Sequence, residues 1–272
     1  MIRIDPSLCI ACKACIKDCP TDDIELEADF ARAKNAICLH CGHCIAICPA
    51  RAVRDDSYDM SEALEYDPET FSLPPENLLN FIKFRRSVRR FQNRTIESEK
   101  LERILEAGRF SPTGSNRQSV SYIVLEKDIP SFRLLALKSL AESSQAILDT
   151  QKSLSPTASF AAKWKRLYEL EQTSPGREDA LFFHAPAVVL LVSDSAVDAA
   201  LAASNMELMA FAEGLGALYC GFFCRAGQSS TEIQSLLELP PSQNIQVCMP
   251  LGYPDVRYFR TVPRNKPNIR WR

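Results

Sequence analysis

No apolar run free of charge approaches the roughly eighteen residues that a membrane-spanning helix needs, so no spanning segment and no membrane partner are expected. The opening residues, Met1-Ile2-Arg3-Ile4-Asp5-Pro6, hold no apolar core of the kind that directs secretion, and a cytoplasmic location is the expectation. No Gly-x-Gly-x-x-Gly stands between a strand pattern and a helix pattern, which excludes a built-in Rossmann site for a nicotinamide. Net charge is nearly absent: 32 Lys and Arg against 34 Asp and Glu leave −2, no overall field to recruit nucleic acid or a membrane surface. Histidine is scarce, with three in the chain, and His184 stands before Ala185-Pro186 without a visible catalytic companion. What remains is ordinary for a soluble globular protein: 272 residues, 46% hydrophobic and 24% charged, enough for one or two domains with a core of normal size.

Cysteine is the exception. Eight of the eleven fall within the first fifty residues in two copies of one pattern, Cys9-x2-Cys12-x2-Cys15-x3-Cys19-Pro20 and Cys38-x2-Cys41-x2-Cys44-x3-Cys48-Pro49. A lone Cys-x2-Cys pair would serve zinc equally well. Zinc gains nothing from a duplicated x2-x2-x3-Pro order, and a cytoplasm keeps thiols reduced, so iron–sulfur ligation is the stronger reading over zinc and disulfides. His40 and His43 sit between the second set of cysteines. They are open to two readings, as metal ligands or as loop residues shaping solvent access and hydrogen bonding around the sulfurs, and the second is preferred.

The segment from residue 1 to about 57 resembles a bacterial two-cluster ferredoxin. That resemblance implies two [4Fe–4S] clusters with interlocked ligands: three thiolates from one loop, the fourth from beyond the other. Cys9, Cys12, Cys15 and Cys48 would hold one cluster, and Cys38, Cys41, Cys44 and Cys19 the other. So small a unit buries little apolar area, and the clusters are expected to supply its cross-links.

From Ser57 to Glu76 acidic residues mix with Pro68, Pro74 and Pro75, which reads as an extended linker. The expected division is 1–57, a linker over 58–80, and a second domain over 81–272. Helical spacing is visible at Glu76–Phe84, from Ser98 to about Gly108, at Phe132–Leu148, across the polar stretch 151–180, at Ala196–Leu218 and at Thr231–Leu239. Strands are expected at Tyr122–Leu125, Ala187–Ser193, Gly221–Cys224 and Ile245–Leu251. The helix from Ala196 is apolar nearly all round, which predicts cover on most faces, with a second subunit as the natural cover.

Arg85-Arg86-Ser87-Val88-Arg89 concentrates guanidinium groups beside a hydroxyl, a combination suited to phosphate. Alone, the six basic residues between Lys83 and Arg94 would equally make a solvated face or a nucleic-acid patch. The order of further segments changes the weighting: Arg-Arg-Ser-x-Arg-x-Phe at 85–91, Ser-Pro-Thr-Gly-Ser-Asn-x-Gln at 111–118, Gly214-Leu215-Gly216, Leu251-Gly252-Tyr253-Pro254, then Arg264 and Lys266. This set is similar to the FMN-dependent nitroreductase family over residues 81 to about 270. The resemblance implies an α+β fold, an α/β/α sandwich with a mostly antiparallel sheet, and an intertwined homodimer with flavin at its interface.

By the same resemblance, Arg85, Ser87 and Arg89 would hold the FMN phosphate, ribityl chain and pyrimidine edge. Arg86 would add a contact, and Arg264 and Lys266 would join at the phosphate. Pro112, Thr113 and Gly114 would approach the isoalloxazine from the other subunit, with Asn116 and Gln118 supporting that turn. Tyr219 to Phe222, including Cys220 and Gly221, would lie along the inner face of the flavin. Phe160, Trp164 and Tyr168 are open to two readings, as a cap over the pocket or as the packed stripe of a local helix. Cys220, Cys224 and Cys248 read as small buried hydrophobes, with Cys220 alternatively facing the flavin. No general acid or base stands out.

The expectation is therefore an iron–sulfur flavoprotein oxidoreductase. Electrons would enter through the clusters from a low-potential donor protein or reductase, pass to FMN, and reduce a small-molecule acceptor such as a nitroaromatic, a quinone or an activated alkene. Tethering a one-electron carrier to a two-electron flavin makes their exchange intramolecular. The alternative is a redox relay or sensor acting on a protein partner. Nucleic-acid binding through residues 83–94 is set aside, since FMN phosphate would occupy the same arginines.

Overall fold

The duplication of the cysteine pattern is repeated in the backbone. In the computed structural model, which describes residues 1–150 and 156–272, two compact units form. One is Met1–Leu73 together with Thr113–Arg117; the other is Pro74–Pro112 with Gln118–Arg272. Residues 151–155 of the stretch expected to be helical lie outside the described residues.

The first unit runs β1 (Ile2–Ile4), α1 (Ala14–Lys17), β2 (Ile24–Glu27), β3 (Phe30–Ala33), α2 (His43–Ala46) and β4 (Val53–Asp55). A shift of 29 residues carries α1 onto α2, and left-handed backbone recurs at the same shift. Ala11, Lys13 and Asp22 have φ of 51°, 62° and 51°, and His40, Gly42 and Arg51 have 50°, 75° and 51°. Such conformations cost about 1–2 kcal/mol for a residue with a Cβ and persist where the surroundings fix them. Pairing is antiparallel and crosses the duplication: β1 lies beside β4 (Ile2↔Asp55) and β2 beside β3 (Ile24↔Ala33). Ile2, Ile24, Ala31 and Val53 form its small core with the buried Cys15 and Cys44.

The stretch expected to be an extended linker holds two single helical turns, Met60–Glu62 and α3 (Pro68–Phe71). Each has a local cause: Ser61 N–H and Glu69 N–H donate to the preceding Asp59 and Asp67 carboxylates at 2.9 and 3.0 Å, and Pro68 takes the first helical position.

The second unit contains α4 (Pro75–Phe84), α5 (Ser98–Arg109), β5 (Ser121–Leu125), α6 (Ile129–Thr150), α7 (Pro156–Thr173), β6 (Ala187–Ser193), α8 (Ala196–Ala212), β7 (Gly216–Ala217), α9 (Gly221–Ser229), α10 (Thr231–Leu236) and β8 (Asn244–Gly252). The sheet is antiparallel throughout, in the order β5-β6-β8-β7. Every residue of β6 is 1% exposed or less, which explains its unbroken apolar run. Val188, Leu190 and Val192 pack with Phe132, Leu137, Trp164 and Phe223 on one side of the sheet. Ala187, Val189 and Leu191 pack with Ile104, Ala203 and Met206 on the other. This is the three-layer sandwich expected from the resemblance. Among the described residues, no helix is long and apolar enough to cross a membrane.

Two expected elements differ. The helix from Ala196 ends at Ala212 and not at Leu218, because Gly214 adopts φ 75° and closes it: Leu215 N–H reaches the Ala210 carbonyl at 2.8 Å and Gly214 N–H the Phe211 carbonyl at 3.1 Å. The expected strand Gly221–Cys224 is the start of α9. Its Phe223, Ala226 and Gly227 fall at helical spacing and turn to the core, while the extended backbone lies earlier, where Leu218 and Cys220 N–H groups bond Pro250 and Cys248 carbonyls of β8 at 3.2 and 2.8 Å. Cover on α8 is also partial: Ala199, Ala202, Ala203 and Met206 are buried, whereas Val197 and Leu201 are exposed.

Candidate functional site

The eight cysteines surround two cavities in the first unit. One is lined by Cys9, Cys12, Cys15 and Cys48 with Ile4, Ala31 and Val53. The other is lined by Cys19, Cys38, Cys41 and Cys44 with Ile2, Ile24 and Leu39. The grouping is the interlocked one, each fourth cysteine reaching across to the other loop. Backbone N–H groups point at the sulfurs as they do around thiolates: Ala31 donates to Cys9 and Ala52 to Cys48 at 3.3 Å, Asp23 to Cys19 at 3.3 Å, and His40 to Cys38 at 3.4 Å. Among the described residues no three His, Cys, Asp or Glu side chains converge as they would on one metal ion; a cubane takes one thiolate per iron and needs a wider cage. The donor set and its spacing fit two such clusters.

The histidines of this unit turn to carboxylates. His40 Nδ1 is 2.6 Å from Asp55 Oδ2, and His43 Nδ1 is 3.1 Å from Asp18 Oδ2. Burial pushes the Asp55 carboxyl up, but the Ser57 N–H, the His40 ring and the N-terminal ammonium outweigh it and hold Asp55 well below the ordinary carboxylate range. His184 contributes through its backbone, donating N–H to Asp179 Oδ2 at 3.1 Å.

In the second unit α4 ends at Phe84, and the arginine run leaves it as an extended segment along the sheet edge. Val88 N–H donates to the Ala217 carbonyl at 2.9 Å, Ser87 bridges Ala217, and Phe91 bridges Pro254. The close approach depends on two glycines: a Cβ on Gly216 would fall 2.4 Å from Val88 Cγ2, and one on Gly252 2.8 Å from Phe91 Cδ1. The run borders two clefts. Arg89 lines a cleft of about 410 Å³ with Lys163, Trp164, Phe183, Tyr219, Cys220, Gly221, Phe222 and Arg225. Arg85 and Arg86 line a second of about 390 Å³ with Val88, Glu207, Gly216 and Arg257. Both volumes lie in the range of cofactor pockets, about 300–1,000 Å³.

Glu207 links the two. Its carboxylate accepts from Arg85 Nη1 and from the Tyr219 hydroxyl, the latter at 3.1 Å. Burial, and then the Glu207 charge, raise the Tyr219 phenol above its usual range. Sequence reading passed over Glu207, although it and Asp198 are the two charged residues of a largely apolar helix. Lys163, Arg225 and Arg257 were also missed and carry no spacing signal. Trp164 answers both readings of its stretch: it is buried in the core and packs on Phe222, centroids 4.5 Å apart, in the cleft wall. Phe160 is exposed beside Phe222, and Tyr168 packs against the core.

The remaining expected residues lie elsewhere. Arg264 and Lys266 are in the exposed tail after Pro254, outside regular structure. Pro112 ends one segment of the second unit, and Thr113, Gly114 and Asn116 belong to the first. There Asn116 Nδ2 donates to the His40 carbonyl at 2.7 Å and the Leu39 carbonyl at 3.1 Å, within the loop of Cys38 and Cys41.

A four-cysteine cage occurring twice, in a chain that also folds an antiparallel α/β/α sandwich with arginine-lined clefts, defines an iron–sulfur oxidoreductase of composite build. A model of a 4Fe-4S dicluster domain matches residues 1–49, and one of the nitroreductase family matches residues 82–253. The chain belongs to the nitroreductase family, with a dicluster domain ahead of the family segment. Solved structures of similar fold include a BluB-like flavoprotein from Clostridium difficile 630, 19% identical over 70% of this chain and 94% of that one, TM-score 0.53. Oxidized iodotyrosine deiodinase bound to FMN and 3-iodo-L-tyrosine is 22% identical over 72% and 98%, TM-score 0.50. A nitroreductase with bound FMN from Bacteroides fragilis NCTC 9343 is 21% identical over 71% and 97%, TM-score 0.49. At these identities the likeness is one of fold.

Proposed function

We propose that the chain is an iron–sulfur flavoprotein that passes electrons from two [4Fe–4S] clusters to FMN and on to a small electrophilic acceptor, a nitroaromatic, a quinone or an activated alkene. The observation that carries the reading is the membership of Thr113–Arg117: the turn expected to approach the flavin belongs to the cluster-binding unit, with Asn116 bonded to the loop of Cys38 and Cys41.

FMN supplies the two-electron chemistry, a hydride or paired electrons to the acceptor. The chain's part is to bind, orient and tune. Arg89, Lys163 and Arg225 give the first cleft three cations and no carboxylate, which favours the negative charge a reduced flavin carries. An added Cβ at Gly221 would meet nothing within 4 Å, so a flat ring has room to lie along the backbone there. Arg86, Arg257 and Arg85 line the second cleft, where a phosphate finds forked donors; Ser87 stands in the strand between the two clefts, and Arg264 and Lys266 would close from the tail. The exposed Leu78, Leu79 and Ile82 of α4 support a homodimer, as do Val197 and Leu201 of α8. The donor is a low-potential protein or reductase.

Anaerobic stopped-flow tests the path. With a reduced low-potential donor, cluster absorbance should bleach before the flavin, and flavin reduction should be faster than with NADH. Faster reduction by NADH in protein that retains its clusters would remove the donor and the path together. Turnover of no small acceptor, with a stable protein complex instead, would turn the reading to a relay.

A further inference from the structure

Three thiols outside the cluster unit gather under the first cleft. The register Gly216↔Gly252 and Ala217↔Leu251 continues past the end of β7, so that Leu218 stands opposite Pro250 and Cys220 opposite Cys248. Cys220 N–H bonds the Cys248 carbonyl at 2.8 Å. Directly opposed residues of a hydrogen-bonded antiparallel pair lie about 5.5 Å apart at Cα and turn their side chains to one face. A disulfide spans about 4.4–6.8 Å between Cα atoms. The two thiols perturb one another, and Cys224 lies near enough to join them electrostatically, acting on Cys248 and acted on by Cys220.

The pair is unsymmetrical. Cys220 is part of the cleft wall, beside Gly221 and Arg89, while Cys248 is 1% exposed behind it. The neighbouring Cys248 thiol holds the Cys220 thiol below its ordinary range in spite of burial, whereas burial pushes Cys248 far above it. Cys220 therefore has the thiolate character of an attacking sulfur and Cys248 the position of a resolving one. Packing alone asks for one small apolar side chain at each place; it does not ask for two thiols in register at the edge of a cleft.

We propose that Cys220 and Cys248 form a redox-active dithiol that closes to a disulfide by giving two electrons and two protons to an oxidised flavin in the adjoining cleft, and reopens by the reverse. Both S–H bonds break, one S–S bond forms, and the flavin gains the electron pair and the protons. The inference rests on the flavin assignment above. It gives the protein a place to hold an electron pair beside the flavin while the clusters deliver electrons singly.

The test uses anaerobic holoprotein whose thiols have been reduced and the reductant removed. In one arm diamide, a thiol oxidant that takes up the two hydrogens, is the acceptor; in the other oxidised FMN is the only acceptor. After acid quench and alkylation, peptide mass spectrometry should find the segments of Cys220 and Cys248 linked, two hydrogens lighter, in both arms. The flavin arm should also bleach the yellow chromophore, and Cys220→Ala and Cys248→Ala should abolish the link while Cys224→Ala keeps it. No linked peptide with diamide overturns the dithiol, because that arm reads whether or not flavin is bound. A link there, with neither link nor bleaching in the flavin arm of protein that holds FMN, overturns the exchange with flavin. Loss of FMN on gel filtration, with the link intact, instead counts against the flavin assignment.

Discussion

The Arg85 guanidinium is hydrogen-bonded to the Glu207 carboxylate, 122 residues away, in the wall of a cleft. A carboxylate thus sits where the family resemblance expects a phosphate, and any phosphate entering meets Glu207 as a competitor. Glu207→Gln removes the competing charge and keeps an acceptor for Tyr219. FMN should then bind up to about tenfold more tightly, about 1.4 kcal/mol, as read by flavin fluorescence titration. Unchanged or weaker binding would mean that the phosphate lies away from Arg85.

Arg133 ties the floor of the other cleft to the helices. Its guanidinium donates to Glu171 at 2.8 Å and lies 3.6 Å from Asp179. Asp179 in turn accepts the N–H groups of Leu181, Phe182 and His184. Arg133 and Glu171 are buried, so Arg133→Met strands two carboxylates and should cost about 3–5 kcal/mol. A fall in the urea midpoint of the flavin domain checks it, together with weaker FMN binding as the 179–184 loop loosens.

Cys48→Ala should cost the cluster of Cys9, Cys12 and Cys15, and not the one whose loop lies nearer in sequence. Iron and acid-labile sulfide should drop by about half. In native alkylation Cys9, Cys12 and Cys15 should become reactive while Cys38, Cys41 and Cys44 stay protected. The opposite protection pattern would refute the interlocked ligand set.

Burial pushes the Cys224 thiol up to about 12. The charged form is the one disfavoured, so the thiol stays protonated until strongly alkaline pH. At pH 8 about one molecule in ten thousand carries the thiolate, and native alkylation should leave Cys224 intact until the pH approaches 12. Modification of Cys224 near pH 8 at the rate of a free thiol would show that it opens to solvent.

The sequence was most informative where chemistry fixes spacing. Two runs of four cysteines have no economical use but a pair of cubanes, and the cavities around Cys48 and Cys19 follow from the same spacing. Period was enough for β6, whose run of six apolar residues has only one way to be buried on both faces. It misled where a local signal had to compete. Phe222 and Phe223 have strand-like side chains, but the helical face made by Phe223, Ala226 and Gly227 decides the element. Gly214 stops α8 by a backbone conformation that apolarity does not encode. Glu207 was present in the sequence as a misplaced charge, but its partner is more than a hundred residues away, and only packing brings Arg85 to it.

Because each strand pair of the cluster unit borrows one strand from either half of the duplication, neither half is a protein in its own right. A chain cut between Glu27 and Phe30 would leave both cages short of a wall and both strand pairs divided between two fragments. The backbone of the two halves should therefore fold in a single step, even in a variant where one cage has lost a ligand and stays empty.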